Sequence, residues 1–598
     1  MRRAKTTRMV MWVFLITAIA GMIAVGCAPP SDGNGNGNGP SPVKEPQYGG
    51  ILRTATTQTP VGFDDAIVEH RAATTKLTHE EVWEGDWTLG DAGGYGTRES
   101  PWIGGGGLNR LEHKAGALAE NVEWTTDLTT ITLHIRPGVY WHDKPPTNGR
   151  EITAEDVAYS LERQYTLSTA YMYLTYPDAC AATTISVDGN KVVLELDDPK
   201  YFVEVITMLD YMNIYPEDAL ETFGDMNDWE NSIGTGPFIL IDYLSDDHLT
   251  YVRNDNYWRT NPIGPGEGDQ LPYLDGVETY LVPDDATQDS LLMTGQIDIL
   301  AITDPERAQY FINNYPQLEY IKYLDDFASP IISMRTDREP YSDVRVRQAL
   351  MLAIDNQQIL DTLYSGEGAL LKWPIMYYES YKGAYVPLED LDDDMIEVLP
   401  GEFISVADLY GYNPELAQRL LSEAGYPDGF SAEILVYNLP HFLDPITMVV
   451  AMWKEVGVDV EIMPLDYTTW TVRLGTRSYN HMLAGIYSGI GSYMKAINYS
   501  GRGMFNSSYI DDPVLNEARD NMMAAYPKEA EVDAIHRDLM PYLLEQVYMI
   551  GLPAGYYYNF WWPWVQNYNG EGSVGYYNAG NGIKYFWIDQ EMKEDMGY

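Results

Sequence analysis

The residues that could do chemistry here are few, and their types suit holding a molecule better than breaking one. Tyr467, Trp470, Tyr487 and Tyr493 crowd one stretch of the chain, with Ser488 among them. Flat rings that also carry hydroxyls suit sugars and other large, weakly charged ligands. Trp373, beside Pro374 after an expected helix, is of the same kind. Packing under a loop is the competing use of such rings. Asp533 and His536, three apart on an expected helix, could share a metal, but a solvated helix face accounts for them more simply, and no metal ligand is assigned. Asp32, Asn34, Asn36 and Gly37 imitate the start of a calcium loop, yet Val43 stands where a bidentate Glu is required. No G-x-S-x-G, H-E-x-x-H or Walker A sequence occurs, so no catalytic residue and no cofactor is expected. A secreted glycoside hydrolase, which needs two opposed carboxylates, stays as the rival class because 88 residues are acidic.

The charge balance narrows the partners. With 38 basic and 88 acidic residues the net charge is −50, and nucleic acid is excluded because phosphate contacts need clustered Lys and Arg. A length of 598 residues predicts two to four domains. The two cysteines differ. Cys27 closes a segment in which Arg2, Arg3, Lys5 and Arg8 precede the apolar run Met9 to Val25, the layout of a secretory signal. Gly26-Cys27 looks like a bacterial lipobox, in which the cysteine is lipidated and becomes the new N-terminus; Ala24 stands where Leu is more usual. Residues 1–26 are expected to be a lipoprotein signal peptide and 27–46 a flexible Gly, Asn and Pro tether, spanning roughly 23 Å root mean square. With Cys27 acylated, Cys180 has no partner and no intrachain disulfide is expected.

The elements that must position these residues alternate between strand and helix. Ile131, Leu133 and Ile135 share one face of a strand that Pro137-Gly138 turns. Thr153 with Asp156 predicts a capped helix whose apolar positions are Ala154, Val157, Ala158 and Leu161. Residues 185–199 read as a hairpin with Asp188-Gly189 at the turn. Residues 84–107 read as an irregular Gly-rich insertion with Trp83, Trp87 and Trp102 around it. Asp343 is placed to cap a helix with a Val346, Ala349, Leu350 and Ala353 stripe, leaving Arg345 and Arg347 to face solvent or pair with carboxylates. Asn413-Pro414 and Asp444-Pro445 open two further helices, ended by Gly425 and Gly457. The strands at 432–437 and 458–462 flank the second of these, which implies a parallel right-handed crossover.

As wording, these stretches resemble the bacterial extracellular solute-binding proteins of family 5, which deliver peptides, nickel and related ligands to ABC importers. The resemblance is carried by LHIRPGVYWHD and TAEDVAYSLER within 131–163, YGGILR at 48, GTGPF at 234, RNDNYW at 253, LPYLDGVETYLVPDD at 271, TGQIDIL at 294 and PYSDVRVRQALMLAID at 340. It implies an α/β, two-lobed, periplasmic-binding-protein-like fold of type II with an extra subdomain, its lobes joined by a hinge near 300–330 and 545–560. Lobe I would comprise 47–90, 200–305 and 550–598, with the extra subdomain at 91–199; lobe II would be 306–549. It also implies a non-catalytic monomer, anchored outside the cell membrane by lipid, that captures an oligopeptide or similar-sized solute and passes it to an ABC permease and ATPase complex.

Relatives that take short peptides pair an Asp, in the loop after a late strand, with the ligand's amino group. The matching stretch, 484–497, holds no acid, and 431–453 holds no Arg for a carboxylate. A zwitterionic dipeptide is thereby disfavoured, since an unpaired buried charge is costly. An oligosaccharide is the alternative ligand, and a metal-complex or haem receptor a further one.

Overall fold

The computed structural model describes residues 44–598 except 58, 61, 68–72, 90–101, 103–109, 325–328, 371–372, 486–500, 502 and 577–579. Three sheets organise it. A seven-stranded sheet runs in the order β12 (Glu319–Leu324), β20 (Tyr556–Trp561), β11 (Ile299–Ile302), β1 (Ile51–Thr56), β10 (Gly276–Leu281), β9 (His248–Arg253), β8 (Phe238–Leu244). A four-stranded antiparallel sheet has the order β4 (Ala119–Trp124), β5 (Thr130–Ile135), β7 (Lys191–Leu196), β6 (Thr183–Asp188). A five-stranded sheet has the order β17 (Val458–Leu465), β16 (Phe430–Tyr437), β18 (Met482–Gly485), β13 (Ile331–Met334), β19 (Met549–Gly551). Short ribbons pair β2 (Trp83–Gly85) with β3 (Lys114–Gly116), β14 (Met395–Leu399) with β15 (Glu402–Ser405), and β21 (Val565–Gln566) with β22 (Trp587–Ile588).

The four-stranded sheet shows how sequence dictates packing. Ile131 and Leu133 of β5 lie opposite Leu194 and Val192 of β7, and all four side chains are fully buried. Helix α1 (Ala154–Thr166) covers that apolar face with Val157 and Leu161. Thr153 and Asp156 form the expected reciprocal cap, and Arg150 holds the same Asp156 through two bonds of 2.6 Å. Arg163 on Asp64, at 2.9 Å, and Ser160 on Tyr215 O, at 2.8 Å, tie this unit to the seven-stranded one. We refer to the two together as the first lobe.

The second lobe is built on the five-stranded sheet. Asp343 caps α2 (Val344–Leu352), and Asn413 caps α3 (Pro414–Glu423), as the sequence predicts. Strands β16 and β17 are parallel, joined by α4 (Pro440–Glu455). That helix begins before the expected Asp444-Pro445 start: Pro440 supplies the preset φ of a first turn, and Pro445 is absorbed inside. Arg345 does pair with Asp343, at 2.6 Å, but Arg347 neither faces solvent nor meets a carboxylate. Its buried guanidinium donates to Tyr341 O and, at the negative end of α6 (Glu529–Gln546), to Gln546 O, both at 2.8 Å. Asp533 and His536, expected on a solvated face of that same helix, are buried.

The chain passes between the lobes twice, from β12 to β13 and from β19 to β20. Strand β20 therefore enters the seven-stranded sheet between β11 and β12 after the whole second lobe has been traversed.

Candidate functional site

Register fixes which edge of each sheet meets the other lobe. Ile331, the first residue of β13, lies opposite Gly485 at the end of β18 and Gly551 at the end of β19. Since β16 runs parallel to both β17 and β18, the carboxyl ends of these three strands share the edge from which both crossings leave. In the first lobe, β12 ends with Leu324 opposite Tyr556, where β20 begins, and Ile302 at the end of β11 lies opposite Tyr558. Strands β1 and β10 run parallel to β11 and so end on that edge too. Both lobes thus turn the carboxyl ends of parallel strands toward their common boundary, the place where open α/β sheets bind ligands.

The crossings are tied to one another. Ser329 Oγ–H donates to Leu552 O at 3.0 Å, and Leu552 N–H to Pro330 O at 3.3 Å. Ala369 and Ala554 exchange two backbone bonds of 2.9 Å, and Lys322 on β12 meets Glu367 at 3.1 Å.

Of the residues the sequence singles out, Tyr467 and Trp470 come together at this edge. Asp466 caps α5 (Tyr467–Gly475), of which Tyr467 is the first, half-buried residue. Tyr437, the last residue of β16, has its ring 5.3 Å from Tyr467 and 6.0 Å from Trp470. Trp470 is 1% exposed, and its indole N–H donates to Ala484 O at 3.0 Å. Its ring occupies the space a side chain at Gly485 would need: an added Cβ would lie 2.3 Å from it. Trp373 is likewise 1% exposed. Tyr487, Ser488 and Tyr493, on the segment that follows β18, and Cys27 lie outside the described residues.

Sequence reasoning missed a set of buried charges in the first lobe. Glu80 accepts from Thr235 Oγ1 at 2.9 Å, Tyr257 OH at 2.8 Å and Trp258 Nε1 at 2.9 Å. Glu81 meets Lys76, and Glu84 meets Arg259, Asn581 at 2.7 Å and Lys584 at 2.9 Å. Burial holds the Lys76 and Lys584 ammonium groups below the usual lysine range. Asp65, raised by burial and by the neighbouring Asp64, is bonded by Asn213 N–H and the Gln164 amide. The partners of Glu80 and Glu84 stand 155 to 500 positions away in sequence, so only the crowding of acids and tryptophans in 79–87 could have flagged them.

A further group of contacts closes the lobes on each other. Arg110 donates to Asp533 and to Ser380 O, with its guanidinium 4.1 Å from the Tyr381 ring centre. Leu111 N–H donates to Glu529 Oε2 at 3.2 Å. Arg519 meets Glu204 at 3.3 Å, Met504 N–H donates to Leu174 O at 3.2 Å, and Tyr171 sits edge-on to Phe505. Among the described residues no group of acids, histidines and cysteines is placed to hold a metal ion.

Two α/β lobes, joined by a pair of crossing strands and meeting at strand carboxyl ends, define a two-lobed binding protein of the periplasmic-binding-protein class. The chain belongs to the bacterial extracellular solute-binding proteins, family 5, whose middle-region model matches residues 115–505. It is 27% identical over 450 residues to heme-binding protein A of Haemophilus influenzae, covering 69% of this chain and 75% of that protein. It is also 27% identical over 412 residues to the dipeptide-binding protein of Escherichia coli, covering 63% and 69%. The ABC transporter-associated periplasmic binding protein DppA from Helicobacter pylori, solved with the peptide STSA, superposes with a TM-score of 0.70 at 20% identity, over 91% of this chain and 99% of that one. The oligopeptide-binding protein AppA from Bacillus subtilis, solved with a nonapeptide, gives 0.66 at 17% identity, over 91% and 100%. Among the described residues no helix is long and apolar enough to cross a membrane.

Proposed function

We propose that this protein is the lipid-anchored receptor of an ABC importer. It takes an oligopeptide, held through its backbone between the two lobes, and hands it unchanged to a permease. The observation that carries this reading is the shared boundary toward which the carboxyl ends of β1, β10 and β11 in one lobe and β16, β17 and β18 in the other all point. A ligand touching both sets of strand ends stabilises the closed arrangement by its differential affinity for it, and a permease can distinguish closed from open. Support for a peptide comes from the STSA and nonapeptide complexes of the structural relatives. The absence of an acid in 484–497 favours chains longer than a dipeptide.

Purified residues 28–598, incubated with peptide and glycan libraries, test the reading. A binding peptide at 100 times its Kd should add about 2.7 kcal/mol to unfolding free energy. Stabilisation by glycans alone would reassign the ligand as an oligosaccharide. Product formation abolished by changing one carboxylate would make the protein a hydrolase. For the anchor, Cys27→Ser should leave the protein soluble after cell fractionation, and retention on membranes would refute lipidation at that residue.

A further inference from the structure

We propose that closure of the lobes is proton-gated: Arg110 and Leu111 of the first lobe latch onto Glu529 and Asp533 of the second, and the latch holds when Glu529 is neutral and loosens when it is ionised. The proposal deepens the receptor reading, since closure is what that reading uses, but the latch is a property of the ligand-free chain.

The geometry sets two unlike carboxyls side by side on the first turns of α6. Asp533 has the Arg110 guanidinium, which also reaches Ser380 O and lies over the Tyr381 ring. Glu529 accepts the Leu111 N–H, a neutral donor, at 3.2 Å. Arg110 and Lys114 face it from the first lobe along with the like charge of Glu112, and Asp533 and Tyr526 face it from its own lobe. One cation is committed to Asp533 and the other, Lys114, to Asp210. Burial, opposed by Arg110 and the Leu111 amide, pushes the Glu529 carboxyl up to about 7.

When the lobes part, that carboxyl returns to water and to its ordinary value of 4.5. Closure therefore takes up a proton between these two values, so the closed form is favoured in mild acid and weakens as pH rises through about 7. A protonated carboxyl keeps a carbonyl oxygen for the Leu111 N–H, and so does glutamine. Glu529→Gln is thus a permanent mimic of the latched state.

One spin label on each lobe of the ligand-free chain, read by double electron–electron resonance from pH 5.5 to 8.5, tests this. The ratio of short to long inter-lobe distances should fall at least tenfold across that range in the wild type. It should stay at its acid value throughout in Glu529→Gln. Arg110→Gln should lower the short-distance fraction at every pH and move the midpoint upward, because Arg110 opposes the rise of the Glu529 carboxyl. A flat wild-type profile, an unaltered response in Glu529→Gln, a short-distance fraction unchanged by Arg110→Gln, or long distances alone at all pH would each overturn the latch. Failure of the ligand screen would refute the receptor reading and leave these measurements standing.

Discussion

Glu84 shows what a single buried acid commits the fold to. It lies against Arg259 and Lys584, and all three side chains are largely withdrawn from water. Glu84→Ala strands those two cations, and breaking a buried pair from one side costs about 3–5 kcal/mol. Urea denaturation should show a loss of that size, whereas a loss under about 1 kcal/mol would mean the cations re-pair. His142 works in the opposite charge state. Its Nε2–H donates to Gly236 O while Nδ1 accepts the Gly234 N–H, and burial lowers the ring to about 4. Unfolded, the ring gains a proton below its ordinary 6.5, so stability is full above that pH and falls as the solution is acidified toward 4. Denaturation midpoints at pH 7, 5.5 and 4 should decline in the wild type and decline less in His142→Gln. Neither residue announces its role in the sequence. A lone acid or histidine reads as solvated until the distant residues that cage it are folded around it.

At the scale of elements, what was legible is what is local. Thr153 with Asp156, Asp343, and Asn413 with Pro414 each carry their helix start within four residues, and each cap forms where expected. The start of α4 misleads because two prolines, Pro440 and Pro445, both offer the preset φ, and the sequence does not rank them. Arg347 misleads because its acceptor, Gln546 O, belongs to a helix 199 positions away. In the candidate site the sequence singles out aromatic residues, but the way Trp470 is spent on the β18 backbone is not legible in it. The fit there is testable. Gly485→Ala drives a methyl into the indole, an overpacking cost of about 1–3 kcal/mol. Trp470→Phe should recover part of that loss in a double-mutant cycle. Additive effects would show the two positions to be uncoupled.

For the molecule as a whole the acidic excess sets the electrostatics. A net charge of −50 makes the compact form repel itself, and salt screens that repulsion over a Debye length of about 10 Å at 0.1 M. Thermal midpoints should therefore rise between 10 mM and 500 mM sodium chloride. A fall would mean that surface ion pairs, which salt weakens, outweigh the repulsion. The two-lobed class was legible because the family's motifs recur in order along most of the chain. The closeness of particular lobe contacts such as Arg519 with Glu204 was not, since nothing local to either residue encodes it.

The late arrival of β20 has a consequence for synthesis. On a chain emerging from the ribosome, β12 waits for its one sheet neighbour until residues 556–561 appear, and β11 is held beforehand by a single bridge to β1. The half made first cannot finish assembling until almost the last segment has been translated. Until then the β11 side of that sheet offers unpaired backbone groups, which a folding helper or an early-made neighbour has to cover.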